Sequence, residues 1–127
     1  MGRVLLVDHD LPARDPLELL LAEWGPHEVE TASDADEALD KLQSFRPQVV
    51  VANRGLAGRD GEWLARAIRE TGDTRTFIIC LTGYSDEATH RRIREAGCNL
   101  ILLKPVDLDT LERAVANACT RAGAPAR

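Results

Sequence analysis

The sequence predicts an α/β domain: a parallel sheet covered by helices on both faces. Short apolar runs without alternation recur at Val4–Val7, Val49–Ala52, Phe77–Leu81 and Leu100–Leu103, the pattern of strands buried on both faces. Segments with apolar residues at helical spacing separate them, so that strand and helix alternate five times along the chain. Each run stops at a polar residue, namely Asp8, Asn53, Thr82 and Lys104. A parallel sheet gathers such ends along one edge, where open α/β sheets place their ligands.

The first strand, Val4–Val7, ends in Asp8-His9-Asp10. Leu17, Leu20, Leu21 and Trp24 then recur at helical spacing and stop at Gly25-Pro26. Because a proline inside a helix removes a hydrogen bond and clashes with the preceding turn, this helix is expected to begin late, with Asp15 as cap, Pro16 at its first position and Glu18 completing a capping box. Val29–Ala32 alternates and is the least apolar strand, as suits an edge. Ser33 is placed to cap a second helix, whose apolar face is Ala35, Ala38, Leu39 and Leu42 and which Arg46-Pro47 closes.

The third strand runs into a turn carrying Gly55, Gly58 and Gly61, and Leu64, Ala67 and Ile68 place a third helix before Gly72. Phe77–Thr82 is the fourth strand. The fourth helix, Asp86 to Ala96, has a thin apolar face of Ala88, Ile93 and Ala96, with Arg91, Arg92, Arg94 and Glu95 over the rest, and should pack weakly. Leu100–Leu103 is the fifth strand, and Asp107 caps a last helix through Leu108, Leu111, Val115 and Cys119. Residues 1–122 are thus expected to form one domain, with 123–127 a flexible tail.

Composition excludes several classes. A chain of 127 residues suits one domain. Its 16 basic and 21 acidic residues give a net charge of −5, against the basic footprint of a direct nucleic-acid binder. Cys80, Cys98 and Cys119 are odd in number and widely spaced, matching neither a disulfide framework nor a metal knuckle, so they read as reduced thiols. No run approaches the ~20 apolar residues that span a bilayer, and Asp8 interrupts the N-terminus before a signal-like stretch forms. The expectation is a cytoplasmic protein with no membrane contact. His27 and His90 lack neighbours at ligand spacing and read as solvated. There is no phosphate loop, dinucleotide fingerprint or nucleophile elbow, so neither an enzyme nor a cofactor is expected.

The polar strand ends have a specific register. Asp8, Asp60-Gly61, Thr82-Gly83 and Lys104-Pro105 stand as they do in the receiver domain of bacterial response regulators, which the chain resembles over nearly its whole length. That resemblance implies a flavodoxin-like (βα)5 fold with strand order 2-1-3-4-5, a role in two-component phosphorelay signalling, and a phospho-accepting aspartate seven residues before the Asp-Gly pair. Here that position is Asn53. An amide oxygen is a poor nucleophile toward phosphorus, so the shape is kept and the chemistry lost. Three further positions depart from the pattern: His9 replaces the second acid, Ala57 the usual proline, and Ile101 the usual aromatic switch residue.

The resemblance also implies a Mg²⁺ ion held by the acidic pair, the acceptor carboxylate and a loop carbonyl. Of these carboxylates only Asp8 matches, so Mg²⁺ binding is expected to be weak or absent. Asp8-His9-Asp10 read alone also allows a helix-capping loop or a transition-metal site. A cis Lys104-Pro105 bond is implied, aiming the lysine amine at a pocket of Asp8, His9, Asp10, Asn53 and Thr82, where it is expected to pair with Asp8 or Asn53. Trp63 stands where the family is usually polar and Glu62 where it is usually apolar, so Trp63 is either packed on a neighbour or exposed to a partner.

The leading expectation is a phosphorylation-independent pseudo-receiver that docks a protein: a histidine kinase, a downstream output protein, or a second copy through helix four, strand five and helix five. Arg91, Arg94 and Ile101 are the candidates on that face. The alternatives are a receiver phosphorylated on another carboxylate, Asp8 or Asp10, and an unrelated flavodoxin-like small-ligand binder or enzyme.

Overall fold

The computed structural model describes residues 2–56 and 58–123, which form β1 (Gly2–Val7), α1 (Leu11–Glu23), β2 (His27–Ala32), α2 (Ala35–Ser44), β3 (Val49–Asn53), α3 (Gly61–Glu70), β4 (Phe77–Thr82), α4 (Glu87–Ala96), β5 (Leu100–Leu103) and α5 (Leu108–Gly123). The five strands lie in the order β2-β1-β3-β4-β5, all paired parallel, as expected. Ala57 lies outside the described residues, as do 124–127 of the tail expected at 123–127, whose first residue, Gly123, is the last of α5.

Side-chain alternation divides the strands between two cores. Leu5, Val7, Val50, Ala52, Ile78 and Cys80 face α2, α3 and α4, while Val4, Leu6, Val49, Val51, Ile79 and Leu81 face Leu21 of α1 and Leu111 and Val115 of α5. Every residue of β3 is buried, which is why its sequence is apolar without alternation from Val49 to Ala52. The edge strand β2 buries only Ala32 fully, so its sequence alternates. Cys80, Cys98 and Cys119 are free, buried thiols.

The helices depart from expectation in three places. First, α1 begins at Leu11 rather than after Asp15, with Asp10 at the N-cap and Pro16 inside the helix. Asp10 O accepts from Ala13 N and Arg14 N at 3.1 and 2.9 Å, so the first turn closes before Pro16, whose exposed ring faces solvent. The expected clash is tolerated as a local defect on the outer face. Second, Asp34 and not Ser33 caps α2, accepting from Glu37 N at 2.8 Å. Ser33 instead accepts from Arg14, while its own N–H donates to Glu37. Third, α4 turns Thr89, Ile93 and Ala96 inward and leaves Ala88 exposed. A buried threonine is affordable there because its hydroxyl donates to the capping Asp86 at 2.7 Å.

Pro16→Ala restores one helical hydrogen bond at an exposed site, and is expected to stabilise the domain by about 2 kcal/mol after allowing for the freer unfolded chain. A urea midpoint that rises by the corresponding amount is the expected outcome; a lowered midpoint would mean the proline is not a defect.

Candidate functional site

The carboxyl ends of β3, β4 and β5 are stitched together by the main chain. Asn53 stands opposite Leu81, and Thr82 opposite Leu103. Beyond the strands, Arg54 N donates to Leu81 O and Lys104 N to Thr82 O, both at 2.8 Å. Asn53, Thr82 and Lys104 consequently line one cleft of about 180 Å³, together with Arg54, Gly55 and Tyr84. The Lys104-Pro105 bond is cis, as expected.

On the other side of β3, Val7 stands opposite Ala52, which puts Asp8 next in register to Asn53. Asp8, His9 and Asp10 do not line the cleft. Asp8 is buried and already engaged: its Oδ1 accepts from Asp10 N at 3.0 Å and lies 3.9 Å from His9 Nδ1. These contacts make Asp8-His9-Asp10 the turn that opens α1.

Asn53 is buried and donates from Nδ2 to the Gly55 carbonyl at 3.1 Å, and its enclosed Oδ1 has no hydrogen-bond partner among the described residues. The expected pairing of Lys104 with Asp8 or Asn53 is not found; the lysine is exposed, and its amine has no hydrogen bond or ion pair among the described residues. A neutral amide offers too little to offset stripping water from an ammonium. Thr82 is buried, and its hydroxyl accepts from Tyr84 N at 3.1 Å, fixing the loop after β4.

The residues present do not fit the Mg²⁺ ion that the resemblance implies. The Gly55 carbonyl is taken by an amide N–H, which also points its positive end where an oxygen donor would be needed. No three His, Cys, Asp or Glu residues among those described are grouped to hold a metal, which also counts against the transition-metal reading of His9.

Sequence reasoning missed the strongest interaction at this edge. Glu62, in the apolar stripe of α3, is buried, and Arg54 Nε donates to its Oε1 at 2.6 Å. The same guanidinium lies 5.3 Å from the centre of the Tyr84 ring. One arginine therefore joins the end of β3, the start of α3 and the loop after β4. Gly61 allows this approach, because a Cβ there would come within 3.1 Å of Arg54 Cα. Asp60 caps α3, accepting from Trp63 N at 2.8 Å. Trp63 packs partly against the core with the Arg59 guanidinium 4.1 Å over its ring, so the packed reading holds. The signal available in the sequence was an acid at a position the helical period assigns to the core, which demands a cation nearby.

Two other expectations change. His90 is partly covered rather than solvated, with Nε2 at 2.7 Å from Tyr84 O. His27 is also partly covered, and burial followed by the positive N-terminus lowers its pKa. The Cys80 thiol is pushed far up by its hydrogen bond with Cys98 and by burial, so it is no nucleophile.

The fold and this edge define a signalling receiver, and the comparisons agree. The family profile of the response regulator receiver domain matches residues 4–116. The response regulator Rre1 of Synechocystis is 30% identical over 119 residues, covering 93% of this chain and 52% of that protein. The transcriptional regulatory protein AfsQ1 of Streptomyces coelicolor is 36% identical over 118 residues, covering 91% and 51%. Among solved structures, the chemotaxis response regulator CheY4 of Vibrio cholerae superposes with a TM-score of 0.84 at 28% identity, covering 93% of this chain and 98% of that one. The chain belongs to the response-regulator receiver domain family, and spans about half the length of the two curated relatives.

Arg54→Ala would leave the Glu62 carboxylate buried and unpaired, and is expected to cost about 3 kcal/mol. Replacing both residues with apolar ones, Arg54→Met with Glu62→Leu, should recover most of that loss. Denaturant unfolding of the single and double variants checks this; a single variant no less stable than an exposed control such as Arg66→Ala would remove the ion pair from the account.

Proposed function

We propose that this receiver domain works without phosphoryl transfer, as a docking module whose surface is set by packing alone. The observation that carries the reading is the state of Asn53: an amide at the end of β3, hydrogen-bonded through Nδ2 to Gly55 and with no carboxylate oxygen to offer phosphorus. Receiver domains are signalling modules of two-component systems, engaging histidine kinases and output domains, and this one is read as doing so constitutively. No helix among the described residues is long and apolar enough to cross a membrane.

Two features support a fixed docking face. Arg54 ties the loop after β4 to α3, and the Thr82 hydroxyl holds Tyr84 N, so the segment that would answer a phosphoryl group is already restrained. Next to it the edge strand β5 and the start of α5 expose Leu103 and Leu108, each 45% accessible, and Tyr84 at 61%. Ile101 is partly buried against the core. Arg91 is exposed on α4, and Arg94 is held by Glu87 at 2.9 Å. A ligand moves a two-state equilibrium only through its differential affinity, so with no phosphoryl group the balance is fixed.

Incubation with acetyl phosphate and Mg²⁺ is expected to leave the intact mass unchanged, whereas Asn53→Asp combined with His9→Asp should gain one phosphoryl group. An adduct on the unaltered chain mapped to Asp8 or Asp10 would defeat this proposal. Association of the domain with its partner or a second copy should weaken at least tenfold on Leu103→Asp or Arg91→Ala and stay within twofold on Asn53→Ala. A tenfold change on Asn53→Ala, or on adding phosphodonor, would show that the strand end still governs the face.

A further inference from the structure

A second groove lies at the opposite end of the strands. It encloses about 580 Å³ between the start of β1 and the loops that enter β3 and β4, and Arg3, Arg46 and Arg75 all line it. In a chain of net charge −5, three guanidiniums brought together from distant parts of the sequence are not an average surface. None of the three has a carboxylate within ion-pair distance among the described residues.

The one acid in the lining is already committed. Asp73 accepts from Arg75 N at 2.8 Å, Thr76 N at 2.9 Å and the Thr76 hydroxyl. Burial works to raise its pKa, but those hydrogen bonds, with the Arg69 guanidinium, outweigh burial and bring it below the ordinary value. Asp73 thus serves as the anchor of the loop that carries Arg75. On the facing loop, Arg3 Nε donates to the Arg46 carbonyl at 2.8 Å and Arg3 N to Gln48 Oε1 at 2.9 Å. Among the described residues no hydrogen bond or ion pair is made by the terminal guanidinium nitrogens of Arg3, Arg46 or Arg75.

Arg46 supplies the second, independent observation. It follows the C-cap of α2 with φ at 55°, the sole non-glycine residue of left-handed backbone among those described. Helices end there preferentially on glycine, because a Cβ disfavours the conformation by roughly 1 kcal/mol. An arginine kept at a position that glycine would fill with less strain points to a use for its side chain. Leu42 and Pro47 add an apolar wall beside the guanidiniums.

We propose that this groove binds a small molecule carrying two or more phosphoryl groups, with Arg3, Arg46 and Arg75 gripping the phosphates and Leu42 and Pro47 facing the body of the ligand. Guanidiniums take phosphate oxygens in pairs of parallel hydrogen bonds, and a volume of about 580 Å³ lies in the range that encloses small ligands. The site is separate from the Asn53 cleft and does not rest on the absence of phosphoryl transfer there.

Titration calorimetry of the full chain with inorganic tripolyphosphate and with ADP, at low salt, tests the proposal. Saturable one-to-one binding is expected, with Arg46→Gly and Arg75→Ala each weakening it about tenfold. Arg46→Gly should also hold or raise the melting temperature, since it relieves the left-handed strain, which separates lost binding from lost folding. Arg66→Ala, which removes an exposed arginine on α3, should leave affinity within twofold. Equal loss on Arg66→Ala would reduce the effect to general charge and overturn the proposal, as would no heat with either probe at millimolar concentration. Tighter binding of an oligoglutamate peptide than of tripolyphosphate would overturn it in favour of an acidic protein segment.

Discussion

The edge of the sheet where receivers do their chemistry depends here on one buried charge. Glu62 sits in the inward stripe of α3, where a carboxylate without a partner would cost several kcal/mol. Arg54 meets it at 2.6 Å, and because Arg54 is the first residue after β3, the pairing fixes how the chain leaves the strand and how closely α3 approaches. Gly61 is the companion of that approach, and the Tyr84 ring covers the other side of the guanidinium. The loop after β4 is thereby joined to α3 through a partly buried cation whose carboxylate partner is buried.

Asn53 is consistent with that arrangement at the level of hydrogen bonding. Its amide supplies a donor to the Gly55 carbonyl, so the loop closes on the side chain itself rather than around a cation. Among the described residues Oδ1 has no hydrogen-bond partner, and Lys104 stays exposed. A carboxylate at that position would change both relations at once: it could not donate to Gly55, and it would attract the lysine.

The architecture was legible because burial on both faces leaves a plain mark on sequence. β3, β4 and β5 are short apolar runs ended by polar residues, and strand–helix alternation marks the sheet as parallel, while the strand order was implied by the receiver resemblance. The helix starts were less legible. Pro16 argues locally for a late start, yet tertiary packing of Leu21 and Trp24 carries α1 through it. Ser33 and Asp34 are both good caps, and neighbouring choices of that kind are settled by where the chain must turn. At the site, Asn53, Thr82 and Lys104 were found by register, while Arg54 and Tyr84 were not, because an ion pair joining residues on separate elements has no local pattern. Only the misplaced acid at Glu62 hinted at it.

The central claim is that the loop after β4 and the β5 edge do not respond to phosphodonor. Two-dimensional amide spectra of the domain, recorded before and after acetyl phosphate with Mg²⁺, measure this at Tyr84, Ile101 and Leu103 individually. Unmoved resonances at these residues are the predicted result. Coherent shifts running from Asn53 through Tyr84 to Leu103 would contradict the account.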